Sequence, residues 1–540
     1  MTVTTEAPKS LPILPPTHVI KPYSSIPVLF EKASDEEQAD RIRELIQQVH
    51  GYLTASSTNS TSTMKLIDTI QRLGLSHHFE TEIRNYLNAL SQGDTVGDVE
   101  DLFTTTLRFR LLRQNGYATS SDVFDKFMDK TKSKFHESLC LDTIGMLSLY
   151  ETSYLGVKGE TNLIQAKELA RIYLRQSLTG LNKEVSAALT LPRHLRMPRL
   201  EARNYIQEYS KKLDCNVSLL QLATLEFNKV QLQHQDELTE IKRWWKDLGL
   251  VNKLGFGRDR PLECFLWSVG IFQEPCQSTC RIELTKTIAI LLVLDDVYDT
   301  YGQYDDLLLF TNAIKRWDLA SLDELPEYMK ICYMALYNTN NDIAYRILKQ
   351  HGINVVSHLK RTWIDIIESF IVEAKWFKMG YVPTSEEHLA TAVTSGGTYM
   401  ALVHAFFLIG QGVTAETMEM MNKPYPNLFS NAGKILRLWD DLGTAKEEQE
   451  KGDVASSIQC YMKEAGMGED EAREHVKQLI RSLWTDLNGE LMAANKALPL
   501  PLINASFNLA RTAQVIYQHG DDSKLPSVKE QVQALFFRPL

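Results

Sequence analysis

Cysteine is scarce in this 540-residue sequence: the seven present (140, 215, 264, 276, 280, 332 and 460) are an odd number, widely spaced and without a CxxC pair. Neither a disulfide framework nor a zinc site is indicated, and a reducing compartment fits. No run reaches 18 consecutive apolar residues, and the aliphatic stretch ILLVL at 290–294 stops at Asp295, so no membrane span is expected. A basic surplus is missing too. With 58 Lys and Arg against 68 Asp and Glu, the formal charge of −10 argues against nucleic acid as a partner. There is no glycine-rich phosphate loop, no βαβ alternation and no convincing repeat of fixed period. Arginine is absent before Arg41, and the opening MTVTTEAPKSLPILPPTHVI holds one Lys, one Glu and four prolines. That is unlike an Arg-rich, acid-poor transit peptide. Residues 1–22 are expected to be a disordered head and the chain cytoplasmic, a plastid location requiring truncation from a longer precursor.

What is present is helical pattern. Apolar residues recur at three and four positions in ADRIRELIQQVHGYL, VEDLFTTTLRFRLLRQNG and TIGMLSLYETSYLG, with Gly or Asn at the expected stops. In the stretch starting at Ser385 the pattern continues across Gly396 and Gly397, where each glycine costs about 1 kcal/mol relative to alanine, so a break is expected there. Length allows two domains. A boundary fits near 218, giving a helical unit over 23–218 without an obvious acid cluster and a second over 219–540.

Chemistry concentrates in the second unit. In TKTIAILLVLDDVYDTYG the helix end carries Asp295, Asp296 and Asp299; Asp295 and Asp299 are four apart and share a face. Two carboxylates at the unfavourable dipole end of an apolar helix repel each other unless a cation sits between them. Hard oxygen ligands select Mg²⁺ or Mn²⁺. In KILRLWDDLGTAKEEQEKGD, Asp440, Thr444 and Glu448 fall at i, i+4 and i+8, one stripe of oxygen donors, while Asp441 and Glu447 lie off it and read as solvated neighbours. Arg437 precedes Asp440 by three, and GFGRDRP supplies Arg258 and Arg260, whose forked donors suit phosphate oxygens. Trp267 is either core or an aromatic wall facing a cation.

These parts together resemble the plant terpene synthases: DDVYD at 295–299, DDLGTAKEE at 440–448, RDR at 258–260, and YQHGDD at 517–522 stand where that family carries its motifs. The resemblance covers residues 23–540 and implies an all-α fold of two helical domains, an α-barrel-like N-terminal one without catalysis and a C-terminal class I α-bundle. It implies that Asp295, Asp299, Asp440, Thr444 and Glu448 hold Mg²⁺, three ions with substrate bound, and that Arg258, Arg260 and Arg437 join Asp295, Asp299 and Asp440 around a prenyl diphosphate. Trp267, Tyr399 and Tyr517 are its candidates for sheltering the cation. The break at 395–397 would turn carbonyls towards that cation. No DxDD string occurs, nor a tandem arginine followed eight residues later by tryptophan, since the first tryptophan is Trp244. The chain therefore looks like the clade making acyclic alcohols, linalool from geranyl diphosphate or nerolidol from farnesyl diphosphate, acting as a monomer. The alternatives are a cyclising sesquiterpene synthase, a chain-elongating prenyltransferase and a prenyl-diphosphate-binding scaffold without turnover. His404, on an apolar helix, reads as a satisfied core histidine.

Overall fold

The computed structural model describes residues 35–55, 61–93, 101–131, 134–176, 182–256, 258–450, 455–493, 497–518 and 527–540, with 35, 55, 182, 447 and 448 described by backbone alone. Among the described residues all regular structure is helical, and one isolated bridge pairs Met128 with Phe135. The helical periodicity of the sequence translates directly into burial. In helix Thr61–Arg72, for example, Met64, Ile67 and Ile70 face inward at threefold spacing.

Eight helices bear on the site, numbered α1 to α8 in chain order. They are α1 Val217–Leu248, α2 Pro261–Ile271, α3 Ser278–Asp296, α4 Val356–Met379, α5 Ser385–Ser395, α6 Thr398–Ile409, α7 Asn427–Glu450 and α8 Leu500–Tyr517. α1 ties the two halves of the chain together. It starts where the Asn216 side chain accepts from Leu219 N at 3.1 Å and stops at Gly249, whose φ of 64° suits a residue without Cβ. Its first half puts Leu219, Leu222 and Phe227 into one core with Ile42, Leu45 and Ile67. Its second half packs Leu238 and Ile241 against Phe265, Val515 and Phe536. Arg281 of α3 adds a fully buried bidentate pair to Glu237 of α1 at 2.6 and 2.8 Å.

The remaining helices form a bundle around α3 and α6; α6 is apolar on nearly every side, and α3 buries its aliphatic residues together with paired charges such as Lys286 and Glu283. The stretch Ser385–Ile409 is long and apolar enough to cross a membrane by length and composition, but 83% of its most apolar window lies inside the protein. The expected break divides that stretch. α5 ends at Ser395 and α6 begins at Thr398, with Gly397 at φ 74°. A Cβ there would stand 2.5 Å from Leu291 Cδ2 of α3, so conformation and space both require glycine.

Candidate metal centre

α3 delivers the first acid group. Beyond Asp296 it widens into a π-helical turn, Val297–Tyr301, closed by Gly302 N donating to Val297 O at 2.8 Å; such turns favour functional sites. Asp296 is buried, Asp295 half-buried and Asp299 exposed. Arg258 Nε donates to Asp296 Oδ2 at 2.8 Å and its Nη2 to Asp295 Oδ2 at 3.3 Å. Asp296 and Asp295 together anchor the arginine loop, Asp296 by the shorter bond. Arg260 turns instead to Glu263, 3.5 Å away. Asp259 accepts from Trp245 Nε1 at 3.0 Å, fastening the loop to α1.

α7 delivers the second group. Arg437 Nη1 lies 3.1 Å from Asp440 Oδ2, and its Nε donates to Asp441 Oδ1 at 2.7 Å. Thr444 Oγ1 donates to Asp440 O at 2.9 Å, and Tyr517 lies near enough to the Asp440 carboxylate for each to shift the other's ionisation. Gly443 permits that approach, since a Cβ there would sit 2.8 Å from Tyr517 O. The side chains of Glu447 and Glu448, and residues 519–522 of YQHGDD, lie outside the described residues. Asp441 is not a solvated neighbour. Its side chain is 0% exposed, pairing with His388 Nε2 at 2.9 Å and accepting from Ser457 N at 2.8 Å. α7 is covered on its flank by α5 and helix Ser457–Ala465, so the position next to Asp440 faces protein rather than water.

Of the aromatic candidates, Tyr517 and through it Trp267 border this group, while Tyr399 is placed against Tyr425. The Trp267 ring on α2 lies 6.1 Å from that of Tyr517, and Tyr399 stacks on Tyr425 at 4.3 Å. His404 is a core histidine: Nδ1 lies 2.8 Å from Met400 O, and burial pushes the imidazole down to about 4.

Glu373 on α4 went unnoticed in the sequence. Ser395 Oγ, at the helix break, donates to its Oε1 at 2.7 Å. Burial pushes this carboxyl up to about 7, against the pull of Arg437 and the Ser395 bond and with added repulsion from Asp295. The available signal was an acid inside SFIVEAKW, an otherwise apolar helical stretch. Asp440 behaves alike: burial, joined by repulsion from Asp441 and Asp295, outweighs Arg437 and raises it to about 6. Asp295 is also raised by burial, despite Arg258. Several desolvated carboxyls resisting ionisation, with one shared arginine between two of them, form a site short of positive charge. An all-oxygen donor set of this kind fits a hard divalent cation.

Comparison with known proteins decides the family. Residues 18–195 match the model of the terpene synthase N-terminal domain, and residues 246–486 that of the terpene synthase family metal-binding domain. The chain belongs to the terpene synthase family. It is 61% identical to probable terpene synthase 11 of Ricinus communis, over 94% of this chain and 89% of that one. Two chloroplastic enzymes of Ocimum basilicum follow: geraniol synthase at 54%, over 93% of this chain and 88% of that one, and R-linalool synthase at 51%, over 94% and 88%. Among solved structures, isoprene synthase from grey poplar leaves, in complex with three Mg²⁺ ions and dimethylallyl-S-thiolodiphosphate, superposes with a TM-score of 0.86 at 36% identity. That match covers 93% of this synthase and 97% of that chain. The all-α class I terpenoid fold expected from the motifs is therefore the fold observed, in a metal-binding terpene synthase.

The same comparison corrects the cytoplasmic expectation. Three relatives at 51–56% identity are chloroplastic, which points to the plastid. The expectation rested on missing arginines in the first residues; a targeting segment is recognised by bulk composition outside the folded domain, so one absent residue type is a weak guide.

Proposed function

We propose that this terpene synthase, acting as a monomer in the plastid, ionises geranyl diphosphate and lets water capture the cation at C3, releasing linalool. What carries the reading is the surplus of desolvated carboxyl groups, Asp295, Asp440 and Glu373, beside Arg258 and Arg437. Asp295, Asp299, Asp440, Thr444 and Glu448 would hold Mg²⁺ or Mn²⁺. When bound, the metal neutralises the diphosphate and stabilises it as a leaving group.

The protein's own groups do the rest. Arg258, already at Asp295, and Arg437, between Asp440 and Asp441, are placed to donate to diphosphate oxygens and hold them as charge develops. Arg260 contributes by leaving Glu263, a weaker partner. Trp267, Tyr517 and Tyr399 present ring faces to the allylic cation and exclude most water. Backbone dipoles at the Ser395–Gly397 break add to that shelter. In this reading residues 23–218 support the fold and 219–540 perform the chemistry.

Two observations support an acyclic alcohol: the missing tandem-arginine motif, and similarity to synthases named for geraniol and R-linalool, both acyclic alcohols. Farnesyl diphosphate, leading to nerolidol, is the secondary substrate, since its cytosolic rationale falls with the localisation. Purified protein incubated with each diphosphate, with Mg²⁺, with Mn²⁺ or with EDTA, and analysed by chiral gas chromatography, tests all of this. Linalool from geranyl diphosphate is expected, lost with EDTA. Mainly cyclic hydrocarbons would overturn the acyclic reading, and longer diphosphates formed with isopentenyl diphosphate would make the chain a prenyltransferase.

A further inference from the structure

A second cluster of metal-binding groups stands apart from the acid motifs, at the junction of the two halves of the chain. The 3-10 turn Ser76–His78, between helices Thr61–Arg72 and Glu80–Gln92, sets two consecutive imidazoles side by side, their rings 4.0 Å apart. Leu75 and Phe79, both fully buried, pin the turn at each end. Opposite them stands Glu226 of α1, a residue only 4% exposed. His77 Nε2 lies 3.8 Å from Glu226 Oε2 and His78 Nε2 lies 3.3 Å from Glu226 Oε1. One donor atom from each of the three residues falls within 4.8 Å of the other two.

Three features favour a metal over a plain ion pair. Both Nε2 atoms are buried and, although they face the Glu226 carboxylate, neither makes a hydrogen bond of good geometry. The 3.3 and 3.8 Å separations approach the edge of about 3.3–3.5 Å that follows when nitrogen and oxygen donors surround a tetrahedral zinc ion. The other nitrogen of His77, Nδ1, faces Glu274 Oε2 at 3.7 Å, longer than a hydrogen bond, so a small side-chain shift would bring the carboxylate to where it orients a ligating imidazole. Two cations border the cluster. Lys229 Nζ, on a 60% exposed side chain, reaches Glu226 Oε1 at 3.4 Å and is free to swing into solvent. Arg199 is buried over the Phe227 ring and donates from Nη2 to Phe227 O at 2.8 Å, while its charge also acts on Glu226 and Glu274.

We propose that His77, His78 and Glu226 bind one Zn²⁺ ion, with Glu274 orienting His77, and that the ion fastens the turn at residues 76–78 to α1. Imidazole donors and low coordination number select Zn²⁺ over Mg²⁺ or Ca²⁺. Cysteine spacing could not reveal such a site, because its ligands are histidines and a glutamate brought together from positions 77, 78 and 226.

The test uses the full chain, stripped with EDTA and supplied with excess Mg²⁺ to fill the acid motifs. One equivalent of Zn²⁺ is expected to survive desalting and to raise the unfolding temperature; His78→Gln and His77→Gln should each lose that equivalent while keeping Mg²⁺-dependent turnover. Glu274→Gln should weaken Zn²⁺ binding about tenfold without abolishing it. Co²⁺ added to the unmutated protein should give the intense visible bands of a tetrahedral centre, a readout independent of how the variants fold. Equal Zn²⁺ retention by wild type and variants, or only the pale octahedral spectrum with Co²⁺, would overturn the proposal and leave the cluster as a set of histidine–glutamate ion pairs.

Discussion

Asp68, in the N-terminal half, and Asp440, in the metal centre, have side chains equally withdrawn from water, 16% and 15% exposed, yet they are held in opposite states. Asp68 Oδ1 accepts from Arg110 at 2.7 Å and from Arg193 at 2.8 Å. Burial pushes its carboxyl up, but the two arginines more than reverse this and hold it far below the usual range. Asp440 has one arginine, shared with Asp441, and faces further repulsion from Asp295, so it rises to about 6. Where cations outnumber acids, the charge is already settled and the group serves the fold. Where acids outnumber cations, the site needs a cation from outside, and the fold accepts a local strain that binding relieves.

The largest effect should come from removing the unsettled acids. Asp295→Ala with Asp299→Ala is expected to lower turnover of geranyl diphosphate about a thousandfold, with no loss of unfolding temperature; retained activity would refute the metal assignment. Asp68→Ala should do the reverse. It leaves Arg110 and Arg193 without a buried partner, at a cost of about 3 kcal/mol in stability, while turnover per folded molecule stays unchanged. Asp441→Asn divides the two behaviours within one motif. Burial acts against this carboxyl, but Arg437, His388 and Ser457 hold it far below its usual range, so it should act like Asp68. Chemical denaturation should show a loss of about 2 kcal/mol, with activity falling only as far as Arg437 loses its position.

This contrast also marks how far the sequence could be read. Helical period, the break at Gly396–Gly397 and the pairing of Arg437 with Asp440 are local, set by spacing along one helix, and the structure follows each of them; within DDVYD the π-helical turn Val297–Tyr301 interrupts the spacing on which a shared face for Asp295 and Asp299 rested. Asp441 and Glu373 were misread or missed because their character depends on what packs against them. His388 lies 53 residues from Asp441, and Ser395 lies 22 from Glu373. No periodicity carries that information. The histidine–glutamate cluster illustrates the same limit, since two of its ligands and the third belong to different halves of the chain.

The smallest effect, and the sharpest test of the comparison, is in pH dependence. A carboxyl raised in the folded state favours folding below its ordinary pKa and loses that contribution as pH rises through the raised value. For Asp440 the window runs from 3.8 to about 6, and for Glu373 from 4.5 to about 7. Asp68 and Asp441 are shifted the other way, so their contributions stand throughout this range and fail only in stronger acid. Metal-free protein should therefore lose stability between about pH 4 and pH 7, and Mg²⁺ should restore most where the acids are ionised. Scanning calorimetry with EDTA and with Mg²⁺ is expected to show a larger metal-induced rise in unfolding temperature at about pH 7.5 than at about pH 5, the difference amounting to a few degrees. Glu373→Gln should shrink that difference, because it removes the group with the highest window while leaving Asp295 and Asp440 in place. A metal-induced rise of equal size at both pH values would mean that Asp440 and Glu373 are as settled as Asp68, and the distinction between structural and metal-binding acids would fail at its most direct point.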